Sequence, residues 1–382
     1  MNNMKVLHNG SGLDKLIKNS PLSAKAPFIR KHSALAVAAC LIFPLNDAIA
    51  NIEGYNFPFS EAYLVFVDNE QDVTSNSNDP NDVSNRENRP LFFWAKNGSY
   101  TLETRALTIY SPSYFQAGGE TTFTPLPTDS VQQGQTASLS LPQIVLGQSY
   151  VSEREPNLFI NVIGSGNGDV SFNARTISAY SGQTNYISLY VDGGNLNNNN
   201  ETQLNVASSF NIVESNVQAS FIVKNSASVS VGAGTTSNST AQLNFSKEND
   251  RFLIENARDV SFAGNLNFTN KVKNLAVTGE ISDQALIRNS NFSVGKTFLF
   301  GGSEYGDVRG TDNAFLQIIN DEGVNAEFNV GSLVIQAPSA GNKTSLLVGH
   351  GANVKTSSPV IVQAQKEGAT AQLLLGDTSS NE

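Results

Sequence analysis

Between Asn157 and Asp377 the chain alternates apolar and polar residues at period two, in short segments such as "NLFINVI", "NYISLYV", "ASFIVKN", "AQLNFS", "NLNFTN" and "SLVIQA". Clusters of Gly, Asn, Ser and Asp separate the segments, and β-branched residues and Phe fill the apolar slots. Side chains alternate across a strand, so each segment is a half-buried β-strand. The helical spacing of apolar residues at i, i+3, i+4 and i+7 is almost absent. The region therefore predicts an all-β fold.

Repetition decides between all-β architectures. Near the C-terminus "VIQAPSAGNKTSLLVG" from Val334 is echoed by "VIVQAQKEGATAQLLLG" from Val360. The echo puts Gln336-Ala337 ahead of Gln363-Ala364 by the same interval that separates Leu346-Leu347 from Leu373-Leu374. Asn329-Val330 recurs as Asn353-Val354 at a slightly shorter interval, and Leu-Asn-Phe recurs at 243–245 and 266–268 at one shorter still. A period of about 25 residues with three short strands is one coil of a solenoid, in which each strand pairs with its equivalent one coil away. The expected fold is a right-handed parallel β-helix over residues 157–382, with roughly nine coils. In that register Phe245 and Phe268 point inward, and Asn244 and Asn267 point outward. A string of β-sandwiches would show strands every ~8–12 residues without such an echo.

Residues 51–156 are less regular and read as a β-rich N-terminal cap. "EAYLVFV" is strand-like, residues 68–90 are polar and read as an exposed loop, and Asn97-Gly98 between apolar runs marks a hairpin turn.

The first 50 residues read as an address. A flank with Lys5, Lys15, Lys18, Lys25, Arg30 and Lys31 precedes the apolar run "SALAVAACLIFPL", after which comes Ala48-Ile49-Ala50. A basic flank, a short apolar core and a small-x-small site describe a secretory signal peptide cleaved after Ala50, with Ala48 and Ala50 as its recognition residues. Val37-Ala38-Ala39-Cys40 also fits a lipobox, which would make Cys40 a lipidated N-terminus. The first 50 residues hold six of the 24 basic and two of the 34 acidic residues, so the remainder carries 18 and 32, a net charge of −14. That balance repels a phosphate backbone and argues against nucleic acid as a partner. The remainder also contains no Cys and a single His, His350, which excludes a disulfide scaffold, a thiol nucleophile and a His-based metal cluster.

The long-flank export signal, the Cys-free acidic chain rich in Asn, Gly, Ser and Thr, and the short coils together resemble the passenger domain of a bacterial autotransporter, of the adhesin-like or vacuolating-cytotoxin-like kind. The resemblance spans residues 33–377 and rests on texture and period. It implies export through the periplasm, then display on, or release from, the outer membrane of a Gram-negative bacterium. It also implies an outer-membrane translocator, in a further C-terminal part or a separate chain. Two features depart from the pattern: neither a C-terminal translocator barrel nor a Gly-rich apolar helix after the signal is encoded. The apolar "AQLLLG" at 371–376, followed only by "DTSSNE", leads to the expectation that residues 1–382 are the front part of a longer protein.

Candidate chemistry is sparse. The Gly-Asp-Ser-Gly of serine-protease passengers is absent, and Gly376-Asp377-Thr378-Ser379 puts Thr where the nucleophile belongs. His350 lies between glycines and reads as a solvated corner residue. Gly164, Gly166 and Gly168 follow a strand but open no helix, so they read as a corner rather than a phosphate cradle. The densest polar group is "GGSEYGDVRGTDN", where Glu304, Asp307 and Asp312 are candidate metal ligands and, with Arg309, would suit a polysaccharide-cleaving site on a corner loop. No cofactor is implied. The expected function is non-enzymatic: a secreted surface adhesin that meets a protein or glycan on a host or neighbouring cell. A polysaccharide lyase or hydrolase and a toxin-type passenger are the alternatives.

Overall fold

The computed structural model describes residues 5–6, 39–44, 51–52, 55–56, 63–68, 70–76, 90–103, 106–119, 136–146, 157–164, 168–179, 186–194, 200–213, 217–233, 239–245, 247, 250–271, 285–301 and 313–376. Among them there is no helix, and parallel strands stack into a β-solenoid. From Asn157 onward the first face is built by Asn157–Ile163, Tyr186–Asp192, Gln218–Lys224, Arg251–Glu255, Ala285–Arg288, Asn313–Ile319, Lys343–Val348 and Thr370–Leu375, each paired in parallel with the next. These strands close about seven turns, fewer than the nine expected. The reason is coil length. Ile187 pairs with Ala219 and Phe252 with Ala285, so over much of the solenoid a coil takes up distinctly more chain than the short echoes suggest.

The rest of each coil is a longer strand path with a bend. In Val170–Ala179 the buried apolar residues are Val170, Phe172 and Ala174 before the exposed Arg175, and Ile177 and Ala179 after it. The inward parity switches at the bend, so the chain turns a corner while both halves still face the core. The same corner interrupts the register between Val294 and Thr297. Each coil therefore has three faces. At the bend backbone lies on backbone: a Cβ on Gly264 would sit 1.8 Å from the Ser239 carbonyl oxygen, and one on Gly295 would sit 2.3 Å from that of Ala263.

The other corner, after the first face, is held by asparagines. Asn225, Asn256 and Asn289 adopt φ of 55°, 52° and 51°, a left-handed conformation that Asn tolerates better than most residues. Their backbone N–H groups donate to Glu255, Arg288 and Ile319 of the following coil, which continues the ladder through the turn. The Asn289 amide also donates to Asn256 Oδ1 at 3.0 Å and to Asp321 Oδ2 at 2.8 Å. Beside this stack, Asp192, Lys224, Glu255 and Arg288 are register partners in sequence. Their signs alternate, with ion pairs of 3.2 Å for Lys224–Asp192 and 3.7 Å for Arg288–Glu255. Arg288 then reaches Asp321 with both Nε and Nη2. The Asn289 amide and the Arg288 guanidinium hold the Asp321 carboxyl below its usual range.

Phe245 and Phe268 are fully buried in one core, as the alternation requires. The Leu-Asn-Phe triplets are not register partners, however: Leu243 pairs with Phe268 and Phe245 with Asn270, so the true register is displaced by one alternation from the echo. A displacement of one full alternation preserves parity, so the inward set is the same in either register. The Asn-Val echo is displaced by the same single alternation: Asn329 pairs with Lys355, and Phe328 with Val354. The echo in the last coils is the true register, with Gln336 opposite Gln363 and Leu346 opposite Leu373. Asn244 and Asn267 lie on the other side of their strands, yet they are buried too, at 4% and 8% exposure. The outer side of the first face is likewise buried, where Tyr190, Ile222, Leu253, Leu286 and Ile319 form a second apolar cluster.

Parallel stacking begins before Asn157. Tyr63–Asp68, Leu91–Ala95 and Ser113–Gly118 lie beneath Asn157–Ile163 in the same sheet. The spacing here is irregular, since Phe92 pairs with Tyr114 and Tyr114 with Phe159, the second step taking about twice as much chain as the first. Part of the stretch read as loop is a strand, Gln71–Asn76, parallel to Gly98–Glu103. Its sole apolar residue, Val73, is buried, while Asp72 and Thr74 are exposed, so its polarity is that of an outer face rather than of a loop. Asn97-Gly98 joins strands of different faces rather than a hairpin, because Leu91–Ala95 and Gly98–Glu103 belong to separate sheets. Ala39–Pro44, inside the apolar run, pairs antiparallel with Tyr63–Asp68.

Candidate functional site

The second face, between the asparagine corner and the bend, exposes a column of small polar residues. It runs through register partners Thr74, Thr101, Ser140, Asn173, Asn205, Ser230, Ser261, Ser293, Asn329 and Lys355. Strand alternation produces it: the inward neighbours Val229, Val260, Phe292 and Phe328 are buried, and the residues between them face out. Rungs of a parallel ladder lie ~4.8 Å apart, so the column presents one hydroxyl or amide per step.

Over the last coils this face deepens into a shallow groove of about 520 Å³, lined by Ser230, Ser261, Ser293, Asn329 and Lys355 on one side and by Ala263, Gly295 and Gly331 of the bend on the other. The bend glycines keep that wall low. A second depression of about 440 Å³ shares Ser293 and Asn329 and adds Asp259, Asn291 and Glu327. Glu327 accepts hydrogen bonds from Asn329, at 3.0 Å, and from Lys355. Those two donors hold its carboxyl below the usual range. Asp259 is exposed, and Asn291 stands between it and Glu327 in the ladder. The two carboxylates are thus two rungs apart. The groove offers a row of hydroxyls and amides, suited to hydrogen-bonding a polar chain laid along the solenoid.

The sequence candidates fall elsewhere. Glu304, Asp307, Arg309 and Asp312 lie outside the described residues, as do Ala48 and Ala50. His350 is exposed at a turn, with Nδ1 3.3 Å from the Asn320 carbonyl oxygen. Gly164 packs a corner, where a Cβ would stand 2.1 Å from Thr202 Oγ1. Among the described residues, no three His, Cys, Asp or Glu side chains gather to hold a metal ion. Sequence reading misses the groove because the interval from Ser230 to Ser261 differs from those between Ser293, Asn329 and Lys355, and a fixed period does not align the column. An alignment of coils that tolerates loops of different length would find it. No protein-family model, no curated protein and no solved structure matches this chain.

One buried acid lies apart from the groove. Asp250 is 4% exposed and accepts the backbone N–H groups of Ala219 and Lys247, each at 2.8 Å. Burial outweighs those bonds and pushes its carboxyl from 3.8 up to about 7. The folded state therefore favours the neutral acid, and the stability this residue confers is present at low pH and lost as pH rises from 3.8 through about 7. Asp250→Asn is expected to remove that slope. Urea midpoints of the two proteins at pH 5 and pH 8 check this, and equal slopes would refute it.

Proposed function

We propose that this protein is a secreted β-solenoid of the bacterial surface that works as an adhesin, meeting its partner along the polar second face. The observation that carries the reading is the unbroken column of small polar side chains ending in a groove. A solenoid supports such a role because it repeats one exposed group per coil on a rigid frame, which builds an extended contact from many modest ones. The export signal at residues 1–50 and the resemblance to autotransporter passengers support placement outside the cell.

The test begins with the full chain expressed in a Gram-negative host. Mass spectrometry of the exported protein should find Asn51 at the N-terminus, whereas an acylated Cys40 would replace the cleaved-signal reading with a lipoprotein. Fluorescently labelled protein should then attach to cells in a saturable manner. Absence of attachment would overturn the adhesin, and release of reducing sugar from polysaccharide would replace it with an enzyme.

A further inference from the structure

We infer that the groove at Ser230, Ser261 and Ser293 binds an extended, uncharged polysaccharide chain. The inference deepens the adhesive reading and rests on it for biological purpose.

Hydrogen-bond satisfaction differs along the column. Upstream the column is closed on itself, Asn173 Nδ2 donating to Ser140 Oγ at 3.3 Å and Asn205 Nδ2 to Asn173 Oδ1 at 3.1 Å, and on the adjoining column Ser171 Oγ donates to Ser138 Oγ at 2.9 Å. At Ser230, Ser261 and Ser293, in the groove, the same column is open. No side-chain hydrogen bond engages Ser230 or Ser293 among the described residues, and Ser261 Oγ makes only a 3.5 Å contact with the Val229 carbonyl. Three half-buried hydroxyls on successive coils thus keep both donor and acceptor capacity, ~4.8 Å apart. A ligand that uses all three must present hydroxyls in a row at about one coil per unit, as the sugars of an extended chain do.

Charge narrows the class. The Lys355 ammonium at the groove's end is neutralised by Glu327, and the exposed Asp259 carboxylate on the neighbouring column has no ion-pair partner among the described residues. The groove's one charge is thus paired and an uncompensated carboxylate stands beside it, which disfavours uronic-acid or sulfated chains. A peptide strand would seek an unpaired sheet edge or an apolar pocket, and this floor is a fully paired sheet surface that offers hydroxyls.

The experiment is native-gel affinity electrophoresis of the full chain in dextran, galactomannan or laminarin, with heparin as the anionic probe. At least one neutral polysaccharide should retard the protein, and heparin should not. Ser230→Ala/Ser261→Ala/Ser293→Ala should weaken retention about tenfold or more, from the loss of several hydrogen bonds. The control Ser138→Ala/Ser171→Ala, a hydrogen-bonded pair on the adjoining column outside the groove, should leave it unchanged, with circular dichroism confirming that both variants fold. Retention by none of the three neutral chains, retention unaltered in the triple variant, or retention by heparin alone overturns the inference. Cell attachment is scored separately. A triple variant retained on the gel like wild type sinks the glycan site and leaves the adhesin standing, while wild-type protein retained on the gel but never on cells sinks the adhesin alone.

Discussion

Phe268→Ala should lower the unfolding free energy by about 3–5 kcal/mol. The Phe268 ring lies at the centre of a stack that crosses coils, with centroids 4.5 Å from Phe252, 5.7 Å from Phe245 and 5.7 Å from Phe300. All four rings are essentially inaccessible to water. Truncation therefore removes transfer energy and aromatic contacts together, and leaves a void between backbone walls that inter-coil hydrogen bonds hold at fixed spacing. Such a site collapses poorly, which places the loss in the upper part of the range for large-to-small changes. Urea denaturation followed by circular dichroism measures it. Ser261→Ala, on the polar second face and half-buried, should stay within about 0.5 kcal/mol. Comparable losses from the two changes would contradict the packing described.

Gly264→Val should cost about 3 kcal/mol or more, although it removes no contact. The added Cβ would stand 1.8 Å from the Ser239 carbonyl oxygen and 2.6 Å from its hydroxyl, and the first of these is backbone that cannot swing aside. Relief requires the coils to separate at the bend. That movement strains the Asn265 N–H bond to Ser239 and the Lys296 N–H bond to Gly264, of 2.9 and 3.1 Å. Gly376→Ala supplies the contrast, because no atom lies within 4 Å of its added Cβ. A thermal melt separates the two variants by many degrees if the bend is as close as described, and a Gly264→Val protein that melts with wild type would show that it is not.

Much of the fold can be read from residue order because parity survives errors in register. Phe245 and Phe268 alternate with polar neighbours, and any solenoid built on that alternation buries them, whichever residue each one faces in the next coil. Register itself is legible only between the last coils, where Gln336 and Gln363 sit in stretches that repeat the sequence as well as the pattern. Elsewhere corner loops change the coil length, so the partners Asp192, Lys224, Glu255 and Arg288 follow one another at unequal intervals and do not announce themselves. That charge ladder avoids repulsion between stacked rungs by alternating sign, a solution visible only once the rungs are aligned. Burial of Asn244 and Asn267 is illegible for a different reason, since alternation specifies the side of a strand and says nothing about what covers that side. The groove depends on the same hidden variable, the register, and also on which hydroxyls are already spoken for.

The stacking direction has a mechanical corollary. Every hydrogen bond between coils runs along the long axis, so tension between the two ends of the molecule loads those bonds in line and concentrates strain on whichever coil is outermost. Yielding should therefore proceed by peeling, one coil per event, and each released coil of roughly thirty residues adds ~100 Å of extended chain. A solenoid of this design lengthens in steps and dissipates work at each one, while the coils that have not yet peeled keep their surface intact.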